Sequence, residues 1–395
     1  MKIGILTFHA ACNFGANLQA YASACIYQRL GHQPKIINYI RPGDINYINS
    51  VNAKQFKAHH DFALQYLPLT RQISSTEELL QVVKEEKFEL ISIGADAVWR
   101  TPNNEKDLVF FGYPIFKESK FPHVVAMSAA HMGQGFSNLS SNLRNQLKNC
   151  LEKYSYISVR DEWTRKKINE DIFGHDYVKI INPDPVIWLN DFIGNEHFSL
   201  DEELKSRPYY LMSLPIRCDS SHKIKKWFRE FKHLVNSAGF SLVELPLPEG
   251  ISGLDFDYII KYPINPIHWF CYINQAHAFC GLRFHAIMAC ISSGTPFFSI
   301  DSYGNSSKLL RIIKMIGMYQ YTLRFDKMSK IRNLLHNSDF EKYRVQGDIT
   351  QIPAKRVFDM LEKFDRQRLI SFRDSMRQLY TNNINQMFNT LKHED

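Results

Sequence analysis

Short apolar runs alternate with helical patterns along most of the chain, the order expected of parallel-sheet α/β architecture. Residues 2–8 read as a first strand. After the loop 9–15, Leu18, Tyr21, Ala22, Cys25 and Ile26 share one face of a helix over about 16–30, closed by Gly31. Strand patterns recur at 34–40, 88–93, 123–127, 156–159 and 178–181, which predicts one doubly wound N-terminal domain. The stretch 189–208 is polar and acidic, with Asn190, Asp191, Asn195, Glu196, Asp201, Glu202 and Glu203 and no strong period. A domain boundary is expected there, giving 1-195 and 196-345. The second domain reads as strands at 209–214, 241–245, 276–280 and 296–300, with helices at 222–237, from Phe284 onward and at 307–316. The remainder, 346-395, is charged and helical in pattern, and is expected to pack back on the N-terminal domain.

Size and composition narrow the class. A chain of 395 residues with 45% hydrophobic and 13% aromatic content can bury two cores. No apolar run approaches the roughly 20 residues that span a bilayer, and Met1 leads directly into a strand, so a cytoplasmic address is expected. Seven scattered cysteines form no C-x-x-C pair, which argues for reduced thiols over a zinc site or a disulfide framework. The net charge of +8 suits an anionic substrate or a membrane surface. Without a sustained basic stripe, nucleic acid is not expected as a partner.

Several segments concentrate chemistry. In Cys280-Gly281-Leu282-Arg283-Phe284-His285-Ala286 an apolar strand stops, an arginine and a histidine follow, and a helix begins. Phe284, Ile287, Met288 and Ile291 recur at helical spacing, and Gly294 and Pro296 end the helix. His285 then lies in a first helical turn, where backbone N–H groups and the helix dipole favour a phosphate or carboxylate beside Arg283. The structural alternative is an arginine paired with a carboxylate and a satisfied interior histidine. Arg160 stands at the end of a second strand, with Asp161 as a plausible N-cap. Its alternative is a surface pair with Asp161 or Glu162. A third helix start, Asn305-Ser306-Ser307-Lys308, puts Lys308 within the same strand-end region as His285, or leaves it an ordinary first-turn lysine.

The first loop holds Asn13, Gly15 and Asn17 but no G-x-G-x-x-G series, and no acidic residue ends the second strand. A nicotinamide or flavin site is therefore disfavoured. The loop reads as a sugar contact or as a turn capped by its own asparagines. After the strand 88–93, Asp96 can bind or deprotonate a hydroxyl and Trp99 can stack on a sugar, unless Asp96 caps a turn and Trp99 is core. His59-His60 reads as a surface pair. Serine-hydrolase, zincin and P-loop motifs are absent.

In order along the chain, Asn13-Phe14-Gly15-Ala16, Ile93-Gly94 through Trp99, Ser128-Ala129-Ala130, Ile157 to Asp161, Asn182-Pro183-Asp184-Pro185-Val186, Arg283-Phe284-His285 and Gly294-Thr295-Pro296 resemble the polysaccharide pyruvyl transferase family. The resemblance covers about the first 320 residues; Ala95 and Ala97 stand where many relatives carry serine and glutamine. It implies two Rossmann-like α/β domains in a GT-B-like arrangement, followed here by the helical tail. It implies transfer of pyruvate from phosphoenolpyruvate to sugar hydroxyls as a ketal, with Arg160, Arg283 and His285 as catalytic and donor-site residues. Phe284 and Lys308 would join the donor site. Asn13, Gly15, Asn17, Asp96 and Trp99 would face the acceptor, a saccharide precursor of a cell-surface polysaccharide or exopolysaccharide, lipid-linked or free, at the inner face of the membrane. Neither a metal nor a redox cofactor is expected. The alternatives are a GT-B glycosyltransferase using a nucleotide sugar, and a non-catalytic sugar-phosphate binding protein.

Overall fold

The computed structural model describes residues 1–40, 53–132, 135–193, 200–301, 312–313, 315–318, 322–324 and 349–393. These form two compact units, Met1–Trp188 with Ser375–Asp395, and Leu189–Asp374. Unit 1 contains a six-stranded sheet in the order β2-β1-β3-β4-β5-β6. Its strands are β1 (Lys2–Leu6), β2 (Gln33–Ile36), β3 (Leu90–Ile93), β4 (His123–Ala129), β5 (Tyr156–Val159) and β6 (Ile180–Ile181). Every pairing is parallel. Unit 2 repeats the plan in the order β12-β11-β10-β7-β8-β9, also parallel throughout. Its strands are β7 (Tyr209–Ser213), β8 (Ser241–Glu244), β9 (Tyr258–Ile259), β10 (Ala278–Gly281), β11 (Phe297–Asp301) and β12 (Thr322–Arg324).

Each sheet is apolar on both faces, as a covered parallel sheet must be. In unit 1 Leu6, Ile91, Ile93, Val124 and Val159 pack with Trp99 and Phe111. In unit 2 the helix His222–Ser237 turns Trp227, Phe228, Phe231 and Val235 inward, onto Tyr210, Met212 and Cys280. Each such large side chain contributes about 1.5–3 kcal/mol by leaving water.

The strand orders place the sites. In unit 1 the chain passes from β1 to β2 on one side and then returns to β3 on the other, so the order reverses between β1 and β3. In unit 2 it reverses between β7 and β10. Open α/β sheets bind ligands outside the carboxyl ends of the strands at such reversals. A glycine sits at each. A Cβ on Gly94, just past β3, would lie 2.3 Å from the Met127 carbonyl oxygen, and one on Gly281, ending β10, 2.5 Å from that of Ser213. Neither contact can be relieved by a side-chain movement, so both positions require glycine.

The sequence pattern and the elements differ mainly at their ends. The first helix is Phe14–Arg29 and starts two residues early, because Asn13 caps it. The second strand stops at Ile36, and the tail expected to be helical holds two helices, Ala354–Glu362 and Arg366–Lys392. Of the helix expected at 307–316, only 312–313 and 315–316 are among the described residues, and they are helical. No helix among the described residues is long and apolar enough to cross a membrane.

Candidate functional site

At the carboxyl edge of the unit 1 sheet, four separated segments form one buried polar cluster. Arg160, at the end of β5, places Nη1 2.7 Å from Asp184 Oδ2 and 3.4 Å from Asp96 Oδ1. Its side chain is only 3% exposed. Burial opposes the guanidinium charge, but the carboxylates of Asp184, Asp96 and Asp161 outweigh it and raise the pKa. Asp184 is fixed in turn by accepting from the Val186 amide at 3.0 Å. Two residues earlier, Asn182 donates to Ser128 Oγ at 2.8 Å, and Ser128 Oγ donates to the Pro183 carbonyl at 2.7 Å. The last helix joins this cluster: Asn383 donates to Asn182 Oδ1 at 3.0 Å, and Tyr156 donates to the Asn383 carbonyl at 3.1 Å. Asp96 and Ser128 have φ of +66° and +56°, a region that costs non-glycine residues of order 1–3 kcal/mol and is concentrated at functional sites.

Two of the expected site residues are buried. Arg160 was expected to grip a donor anion; in the structure its guanidinium is paired with Asp184 and Asp96 of the protein's own chain. Trp99 was expected to offer a ring face to a sugar. It is wholly buried, its indole N–H donates to the Phe110 carbonyl at 2.9 Å, and its ring stacks on Phe111.

The loop after β1 is a second buried network. Asn13 Oδ1 accepts from the Gly15 and Ala16 amides at 3.0 and 3.2 Å, and Asn13 remains exposed. Gly15 and Asn17 are buried inside the helix start. Asn17 donates to the His9 carbonyl at 2.6 Å and accepts from His59 Nδ1 at 2.5 Å, while His59 Nε2 accepts from Gln55 at 3.1 Å. These partners fix His59 as the neutral Nδ1–H tautomer. Burial lowers its pKa to about 3, and burial likewise lowers that of His9. His59 is therefore no surface residue, unlike its exposed neighbour His60. Both the oxygen and the nitrogen of the Asn17 amide thus bond within the protein's own chain.

Unit 2 presents the contrasting edge. Arg283 follows β10 with φ +82° and precedes the helix Phe284–Ser293, whose start has no side-chain cap. It is exposed, and its Nη2 lies 2.9 Å from Glu249 Oε1, with the two side chains 44% and 33% exposed. His285 is half-buried in the first turn, its ring 5.1 Å from that of Phe284 and edge-on to it. Several other helix starts carry caps: Asn13, Asp161, Ser221 and Asn265 each accept from a first-turn amide. Lys308 lies outside the described residues. Among the described residues no group of three histidine, cysteine, aspartate or glutamate side chains is placed to hold a metal.

Sequence reasoning passed over His9, Asp184 and Glu249, and read His59 as a surface residue. Asp184 had a signal, since it lies inside the quoted Asn182 to Val186 motif. The others are set in ordinary surroundings and only the fold gives them partners.

Solved structures share this architecture at low sequence identity. A UDP-N-acetylglucosamine 2-epimerase of Neisseria meningitidis, bound to its sugar nucleotide, superposes with a TM-score of 0.57 at 9% identity over 100% of both chains. A Listeria monocytogenes protein described as a UDP-N-acetylglucosamine 2-epimerase gives 0.57 at 8% identity, over 94% of this chain and 90% of that one. The spinosyn forosaminyltransferase SpnP gives 0.50 at 12% identity over 99% of both. The fold is thus the GT-B class of two Rossmann-like domains with a helical C-terminal tail. No curated protein matches the chain in sequence. The sequence pattern of the family described as polysaccharide pyruvyl transferase matches residues 13–303, from the cap of the first helix to just past β11. That span contains Asp96, Arg160, Asp184, Glu249, Arg283 and His285, and the chain belongs to the polysaccharide pyruvyl transferase family.

Proposed function

We propose that this transferase moves the pyruvyl group of phosphoenolpyruvate onto two hydroxyls of a saccharide, forming a ketal and releasing inorganic phosphate. The observation that carries the reading is the edge of unit 2: an exposed arginine and a half-buried histidine at an uncapped helix start, beside the strand-order reversal. Phosphoenolpyruvate carries about three negative charges, a carboxylate plus a phosphate monoester. The planar fork of Arg283 can bind either group bidentately, and the helix start adds partial positive charge.

The reaction balances without oxidant or reductant. A proton goes to the methylene carbon, one sugar oxygen bonds to the adjacent carbon, and the second sugar oxygen displaces phosphate from that carbon. The two hydroxyl protons supply the new methyl hydrogen and the proton released with phosphate. His285 is assigned the proton transfer at the methylene carbon, because an imidazole can both give and take a proton. Asp96, held by Arg160, is assigned to an acceptor hydroxyl. The acceptor is read as a precursor of a cell-surface or exported polysaccharide, met at the cytoplasmic face of a membrane, and Lys308 as a further donor cation.

Titration calorimetry with phosphoenolpyruvate and with nucleotide sugars, paired with phosphate release on a panel of glycans, tests this. The expected result is phosphoenolpyruvate binding and acceptor-dependent phosphate release. Binding of a nucleotide sugar in its place would make the chain a glycosyltransferase, and binding without turnover a sugar-phosphate binding protein.

A further inference from the structure

Glu249 does not meet Arg283 as a loose surface chain. The backbones of Leu247 and Gly250 exchange hydrogen bonds at 3.1 and 3.0 Å, which leaves Pro248 and Glu249 as the two residues of a tight turn. The loop behind the turn is fixed on several sides. The Ile251 carbonyl accepts from the Arg217 amide at 3.1 Å, and the Ser252 carbonyl from the Asp219 amide at 3.3 Å. The Ser252 amide donates to the buried Glu244 carboxylate at 2.6 Å, and the Tyr262 hydroxyl donates to the Leu247 carbonyl. A rigid turn thus delivers one carboxylate oxygen to the guanidinium at 2.9 Å, a charge-assisted distance. Arg283, as positioned by its left-handed backbone, is therefore already shaped to receive a carboxylate.

We propose that Glu249 is the resident anion of the donor site: it occupies on Arg283 the place that a donor carboxylate takes, and it must leave when the donor binds. This rests on Arg283 being the donor-anion residue. Both partners are open to water, so the pair is exchangeable, unlike the buried pairs of Arg160. Only the fraction of molecules in which Glu249 has let go can bind, so the apparent dissociation constant rises by the reciprocal of that fraction. The factor is the same for every ligand that requires Arg283.

The test is the Glu249→Gln protein, which keeps the side-chain shape and removes the charge, titrated with phosphoenolpyruvate and separately with pyruvate, which carries the carboxylate without the phosphate. Both should bind about two- to fivefold more tightly than to the parent, by a shared factor, as expected from the worth of exposed pairs. Unchanged or weaker binding of phosphoenolpyruvate would overturn the proposal, because Glu249 would then support the ligand or be irrelevant to it. Arg283→Ala separates the two levels. If it keeps parental affinity for phosphoenolpyruvate, the donor-site assignment itself fails and Glu249 falls with it. If it loses affinity while Glu249→Gln gains none, only the role of Glu249 fails.

Discussion

Each unit sets an arginine, a histidine and helix starts near the carboxyl edge of its sheet, and the two edges are in opposite states. In unit 1, Arg160 is buried between Asp184 and Asp96, His59 is sealed in a hydrogen-bonded chain, and the helices that begin there are capped by Asn13 and Asp161. In unit 2, Arg283 is exposed with one carboxylate, His285 is half-buried, and its helix has no cap. The difference teaches that residue type at a strand end does not settle its task. A guanidinium desolvated between carboxylates is locked there, because separation would leave buried charge unpaired. One that shares a carboxylate with water can exchange it for a substrate anion.

The comparison is sharpest at the histidines. His285→Gln should lower turnover by roughly 10²–10⁴-fold with the fold intact, read as phosphate release against thermal unfolding. Parental turnover would reduce His285 to a packing residue and erase the distinction from His59.

The arginines should separate stability from binding. Arg160→Ala leaves two buried carboxylates uncompensated and should cost about 3–5 kcal/mol in denaturant unfolding. Arg283→Ala should cost about 0–1 kcal/mol of stability, and weaken phosphoenolpyruvate binding by about 1.5–3 kcal/mol. Equal unfolding free energies for the two variants would break the contrast.

A smaller effect tests the sealed network by pH. The pKa of His59 is lowered from 6.5 to about 3, so the unfolded chain binds its proton first as pH falls. Its stabilising contribution is complete above 6.5 and declines toward 3. Between pH 7 and pH 5 the loss is about 2 kcal/mol. His59→Gln should remove that share of the acid sensitivity, measured as the change in unfolding free energy between the two pH values. The same pH dependence in parent and variant would mean that His59 is not sealed.

Much of this was legible in the sequence. The alternation of apolar runs with helical periods identified parallel α/β sheets, because side-chain period follows directly from local backbone geometry. Gly294 closes the helix begun at Phe284, and Asp161 caps the helix Glu162–Ile168, since both effects act within a few residues. The strand-end positions of Arg160 and Arg283 were readable for the same reason. The first helix shows the limit: Asn17, Gln19 and Ser23 are polar and yet buried, donating to the His9 carbonyl, to Thr7 and to the Gln19 carbonyl.

The sequence by itself determined the class of fold, the family and the short list of charged residues at strand ends. Only the tertiary structure decided what each of them faces. Arg160 meets Asp96 from 64 residues away, and Glu249 reaches Arg283 across 34. Pairings over such separations are set by strand order and by loop anchoring, and they leave no period in the chain. Burial then acts on the pairing, desolvating Arg160 and leaving Arg283 in water, so that like residues at like positions acquire different chemistry.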